Sequence, residues 1–105
     1  MHIGLHLSIG KGLGNTVATA KELGCKTFQI FAGNPRGWAK KPLDQNAVEM
    51  FKKQVKTDGL GPIAVHLSYL PNPAAPDGEL YEKSILALGE EYRRANELGA
   101  DFLVI

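Results

Sequence analysis

The chain is poor in the features that would commit it to several common designs. It has one cysteine, Cys25, in 105 residues. That excludes an internal disulfide framework and a cysteine-based zinc finger, and it fits a reducing compartment. No apolar run approaches the roughly 18 residues that a membrane-spanning helix needs. The start, Met1-His2-Ile3-Gly4, lacks the basic segment and apolar stretch of a signal peptide. A soluble, cytoplasmic protein with no membrane partner is therefore expected. Charge excess is missing too: 12 Lys+Arg stand against 11 Asp+Glu, a formal net charge of +1. No HxH, HExxH or CxxC spacing occurs, so spacing alone builds no metal site. Gly10-Lys11-Gly12-Leu13-Gly14 is neither GxGxxG nor a segment ending in the GKS/T of a phosphate loop, and it reads as a tight turn entering a helix.

What remains is a folding pattern. The hydrophobic fraction of 44% is ordinary for a globular core. A first strand is read at residues 2–7 and a helix from about Asn15 to Leu23, with Leu13, Val17, Ala20 and Leu23 on its buried face and Gly24 as its stop. Thr27-Phe28-Gln29-Ile30-Phe31 is β-branched and aromatic, hence a strand, and Asn34-Pro35-Arg36-Gly37-Trp38 is loop. Asp44 caps a helix to about Thr57 that buries Val48, Phe51 and Val55. Pro62 opens a strand ending at His66, and Pro71, Pro73 and Pro76 keep the next loop irregular. A long helix from about Gly78 to Leu98 carries Tyr81, Ile85, Leu88, Tyr92 and Ala95 along one face, and Asp101–Ile105 forms a fourth strand. The order βαβαβαβ implies an α/β fold with parallel pairing and right-handed crossovers.

The pattern repeats. Leu5-His6-Leu7-Ser8 returns as Val65-His66-Leu67-Ser68, and Glu22-Leu23-Gly24 as Glu97-Leu98-Gly99. Duplicated βα units suit a barrel better than an open doubly wound sheet, although pattern alone leaves the open sheet available.

Candidate functional residues gather where strands end, the side on which parallel α/β folds place their sites. His6 and His66 close two strands, and imidazole is a good ligand for zinc; a hydrogen-bonded core histidine is the plainer reading of each. Charge is uneven: residues 26–56 hold seven bases and two acids, while residues 77–101 hold seven acids and three bases. Lys52, Lys53 and Lys56 fit a solvated helix face. Arg36, Lys40 and Lys41, in a loop after a strand, fit either a solvated loop or phosphate binding. Trp38 can cap the fold or stack on a base. Tyr69-Leu70, pinned by Pro71, can wedge into a base stack or pack beneath the loop. Cys25 reads as a small core residue.

Five segments in register carry a family resemblance: Gly4-Leu5-His6-Leu7-Ser8, Phe28-Gln29-Ile30-Phe31, Asn34-Pro35-Arg36-Gly37-Trp38, Val65-His66-Leu67-Ser68-Tyr69-Leu70, and Arg94-Ala95-x-x-Leu98-Gly99-Ala100. Together they resemble the N-terminal portion of the endonuclease IV-type, zinc-dependent apurinic/apyrimidinic endonucleases of DNA repair, over the whole chain. The resemblance implies a TIM (β/α)8 barrel, of which residues 1–105 would be a single partial domain of three and a half units. It implies hydrolysis of the phosphodiester 5′ to an abasic site in double-stranded DNA, by a zinc cluster at the barrel mouth. His66 matches a zinc ligand, and Arg36, Tyr69 and Leu70 match residues that enter the DNA at the lesion. His6, Ser8, Asn34 and Trp38 fall in matching segments and are possible pocket or DNA contacts. The family's other zinc ligands lie on later strands, and Pro71-Asn72-Pro73 replaces an aliphatic-Asn-aliphatic pattern. A fragment inactive by itself is therefore expected, with self-association through open strand edges. The alternatives are a sugar isomerase or epimerase-like barrel fragment, or a non-catalytic, self-associating half-barrel.

Overall fold

The computed structural model describes residues 1–105 as four strands alternating with three helices: β1 (Gly4–His6), α1 (Leu13–Glu22), β2 (Thr27–Phe31), α2 (Gln45–Thr57), β3 (Ile63–His66), α3 (Glu79–Glu97) and β4 (Phe102–Val104). The strands form one parallel sheet in the order β1-β2-β3-β4. Sequential order with a helix in every crossover is the arrangement of a barrel arc, so the expected α/β class and parallel pairing hold. β1 and β4 are the two edges.

Strand alternation sorts the side chains. Phe28 and Ile30 of β2, with Ile63 and Val65 of β3, are buried and meet Val17 and Ala20 of α1 and Val48 and Phe51 of α2 in one core. Phe28 and Phe51 meet edge to face, their centroids 6.1 Å apart, a favoured aromatic geometry. The intervening residues Thr27, Gln29, Phe31, Ala64 and His66 face the opposite side of the sheet, where register aligns His6 with Gln29 and Phe31 with His66. Gly4 belongs to that second face, and a Cβ there would lie 1.6 Å from the Thr27 carbonyl oxygen. Only glycine lets β1 approach β2 this closely.

All three helices end alike. The N–H groups of Gly24 and Cys25 bond the carbonyls of Lys21 and Ala20, those of Gly59 and Leu60 bond Lys56 and Val55, and those of Gly99 and Ala100 bond Asn96 and Ala95. Each is a Schellman closure on a glycine at positive φ, 74°, 64° and 72° in turn. The Glu22-Leu23-Gly24 and Glu97-Leu98-Gly99 part of the sequence repeat is thus a repeat of helix-to-strand joints. At its N-terminus α2 is capped as expected: Asp44 Oδ1 accepts from the N–H groups of Asn46 and Ala47.

Three boundaries or faces differ from the sequence reading. The edge strands are shorter, because each has a pairing partner on one side only. α1 begins two residues early, at Leu13, since Gly12 at φ 99° turns the chain straight into the helix, and its Leu23 is exposed. The largest correction concerns α3. Ile85 and Tyr92, expected in its buried face, are exposed at 41% and 64%, while Ser84, Glu91 and Arg94 are buried. The helix is rotated because its inward side bonds loops as well as meeting the core through Ala95 and Leu98: Ser84 Oγ accepts from the Asn72 N–H, and Arg94 donates to the β2–α2 loop.

Candidate functional site

The C-terminal ends of β1, β2 and β3 deliver His6, Phe31 and His66 to the sheet face away from the helices. Phe31 is the hub: its ring centroid lies 4.6 Å from His6, 5.7 Å from His66 and 5.1 Å from Tyr69. Both histidines of the sequence reading therefore share one surface, and Tyr69 joins them.

The two imidazoles are prepared differently. Gln29 Nε2 donates to His6 Nδ1 at 2.8 Å, which leaves the His6 proton on Nε2. His66 Nδ1 is 2.7 Å from the Leu67 carbonyl oxygen. A carbonyl only accepts, so the proton sits on Nδ1 and Nε2 presents a lone pair. Partial desolvation, followed by the charge of His66, holds the His6 pKa below its ordinary value. His6 thus offers a hydrogen-bond donor and His66 a potential metal ligand.

A metal centre needs more than that. No group of three or more His, Cys, Asp and Glu side chains comes together anywhere in the chain. Structural zinc takes four protein ligands, and catalytic zinc takes three. The residues present fit one ligand position, not a zinc cluster.

Two loops rim the site. Between the β1–α1 and β2–α2 loops opens a cavity of about 800 Å³, whose walls include His6, Ser8, Phe31, Asn34, Lys41 and Arg94. Ser8 Oγ accepts from the Gly10 N–H and its carbonyl accepts from Thr16 Oγ1, so it shapes the turn beside the cavity. The Gly10–Gly14 segment is that turn and the helix entry, as the sequence reading favoured. Asn34 Oδ1 accepts from the Arg36 N–H at 3.0 Å, a side-chain turn that throws Arg36 outward. Arg36, Tyr69 and Leu70 are all exposed. The Tyr69 N–H donates to the Pro35 carbonyl at 2.9 Å, tying the Arg36 loop to the Tyr69-Leu70 loop.

The remaining candidate residues differ in their surroundings. Lys40 is not a surface cation: its side chain is 4% exposed and faces Glu91 at 3.8 Å. Lys41 stays exposed on the cavity wall. Trp38 lies against α3, with Lys83 Nζ 4.4 Å from its ring centroid. Cys25 is a buried core residue. In the sequence Glu91 carries no functional signal, and Arg94 stands out only within a matching segment. Their signal was two opposite charges three apart on a helix, invisible to a search for apolar periodicity.

Comparison with known proteins matches the chain to one family. A family model described as a xylose isomerase-like TIM barrel matches residues 17–105. The chain belongs to that family. Within this xylose isomerase-like family its curated relatives are named probable endonuclease 4. The protein of Methanoculleus marisnigri is 48% identical over 102 residues, covering 97% of this chain and 36% of the relative. That of Halothermothrix orenii is 40% identical over 105 residues, covering 100% of this chain and 38% of the relative. Among solved structures, endonuclease IV from Thermus thermophilus superimposes with a TM-score of 0.87 at 38% identity, over 96% of this chain and 39% of that one. The chain thus spans little more than a third of the length of these relatives, and its sheet matches the N-terminal part of the endonuclease IV barrel.

Proposed function

We propose that residues 1–105 are one partial domain carrying the lesion-engaging part of an endonuclease IV-type apurinic/apyrimidinic endonuclease. The observation that carries this reading is the 2.9 Å bond from the Tyr69 N–H to the Pro35 carbonyl. Through it an exposed cation, Arg36, an exposed aromatic, Tyr69, and Leu70 share one rim above the His6–Phe31–His66 surface. A guanidinium suits a phosphate. An aromatic ring and an aliphatic side chain suit the gap left by a missing base, where stacking and pairing are already lost. The substrate class is double-stranded DNA containing an abasic site.

His66 Nε2 is the atom that would serve as one zinc ligand. Zinc supplies an activated water and charge neutralisation for phosphodiester hydrolysis 5′ to the lesion. The residues present do not complete that centre, so the function assigned to them is binding and positioning, and the 105-residue chain by itself is expected not to cut. The family description also covers sugar isomerases. The identities of 40–48% to proteins named endonuclease 4, together with two exposed wedge residues that a small sugar would not require, favour the nuclease.

Fluorescence anisotropy with an abasic-site duplex and an undamaged duplex of the same sequence tests the reading. Tighter binding of the abasic duplex, weakened by Arg36→Ala, is expected. Equal binding of both duplexes, unchanged by Arg36→Ala, would refute it.

A further inference from the structure

The most heavily bonded charged cluster of the molecule lies behind the rim, out of solvent. Arg94, 8% exposed, donates from Nε and Nη2 to the Ala32 carbonyl at 3.0 and 2.6 Å, and from Nη1 to the Lys41 carbonyl at 2.7 Å. Lys40 Nζ donates to the carbonyls of Gly37, at 2.9 Å, and Asn34, and stands 3.8 Å from Glu91 Oε1. Glu91 and Arg94 sit one helical turn apart on α3. Buried charges are costly unless paired and hydrogen-bonded, and an apolar contact would bury the same area without them.

The geometry of the bonds shows what the charges achieve. Every carbonyl they hold, at residues 32, 34, 37 and 41, belongs to the β2–α2 loop, and these four bracket Arg36 on both sides. The fit is close: a Cβ on Gly33 would lie 2.9 Å from Lys40 Cδ and 3.4 Å from Arg94 Nη2. Lys40 is buried beneath the loop it grips, and Arg94, although it reaches the cavity wall, has Nε and both Nη groups engaged with loop carbonyls. Any effect on a ligand passes through Arg36 and, by way of the Pro35 carbonyl, through Tyr69.

We infer that Lys40, Glu91 and Arg94 are positioning residues that fix the β2–α2 loop so that Arg36 is presented beside Tyr69. The consequence for DNA rests on the function proposed above; the effect on the loop does not. Losing the grip frees the loop to sample conformations in which Arg36 and Tyr69 are no longer presented together, which lowers affinity without removing either contact residue.

Two measurements on the 105-residue chain test this. In hydrogen exchange, Lys40→Met speeds the amides of Arg36, Gly37 and Tyr69 by about tenfold or more and leaves those of Cys25 and Leu60 unchanged. In a double-mutant cycle, Lys40→Met weakens binding of a fluorescent abasic duplex about tenfold in the wild-type background and by clearly less on Arg36→Ala, where only the path through Tyr69 remains. Unchanged loop exchange overturns the proposal, and so do additive losses, which would mark the cluster as merely stabilising. Should Lys40→Met fail to fold, Arg94→Lys, which keeps the charge and drops the forked geometry, gives the same two readings. If Arg36→Ala itself leaves binding intact, the DNA function falls, and loop exchange alone decides the positioning role.

Discussion

Gln29 Nε2 donates a 2.8 Å hydrogen bond to His6 Nδ1, and this bond separates the roles of two histidines that the sequence presents as a matched pair. With its Nδ1 lone pair engaged, His6 carries its proton outward on Nε2. His66, tied through Nδ1 to the Leu67 carbonyl, is its mirror. Nitrogen-detected NMR of the neutral imidazoles is expected to show the Nε2–H tautomer at His6 and the Nδ1–H tautomer at His66. Gln29→Leu should release the first and leave the second. The same tautomer at both rings would contradict this assignment.

The environment of His6 also sets a pH dependence. Desolvation and the His66 charge lower its folded pKa from the ordinary 6.5. The unfolded chain therefore binds more protons than the folded chain between the two pKa values, and stability rises with pH across that window. The contribution is fully present above about pH 6.5 and is lost as pH falls through the folded pKa. Urea midpoints measured from pH 7.5 downward should decline, and His6→Asn should flatten the decline.

Asp44 accepts two backbone hydrogen bonds at the start of α2. Asp44→Ala should lower unfolding stability by about 1 kcal/mol, the usual value of such a cap. Urea denaturation reads this directly, and the unfolding m-value should not change.

Arg36 and Tyr69 should fail in distinguishable ways. Arg36→Ala is expected to reduce the slope of log affinity against log salt by about 1, the signature of one lost phosphate contact. Tyr69→Ala should weaken binding of the abasic duplex by about 5- to 100-fold, the range for one lost stacking contact, with the salt slope unchanged. Anisotropy titrations at several salt concentrations separate the two.

The open sheet edges predict association. Ile3 beside β1, Leu5 on it, and Phe102 and Val104 on β4 are exposed at 64%, 53%, 59% and 38%, next to unpaired parallel-strand backbone. Sedimentation velocity should show a concentration-dependent oligomer that Leu5→Lys shifts toward monomer. A stable monomer at high concentration would refute it.

Legibility in the sequence followed the physical strength of each signal. β2, β3 and α2 were readable because Phe28, Ile30, Val65, Val48 and Phe51 alternate or recur with the period of the element that buries them. The matched His6 and His66 were readable as strand ends. The inward face of α3 was not, because periodicity counts apolar residues and this helix turns Ser84, Glu91 and Arg94 inward to bond loop backbone. Lys40 was ambiguous for the same reason: a lysine in a loop is ordinarily solvated, and its burial depends on the carbonyls of Asn34 and Gly37 together with the distant Glu91. The place of Trp38 against α3 depended likewise on Lys83, far along the chain.

The central claim is that this rim recognises an abasic site without completing a metal centre. Incubating the chain and zinc with an end-labelled abasic duplex, then resolving the sample on native and denaturing gels, tests both halves at once. The account predicts a shifted abasic duplex, little shift of the undamaged one, and an intact strand on the denaturing gel. Incision 5′ to the abasic site, or an equal shift of both duplexes, would contradict it.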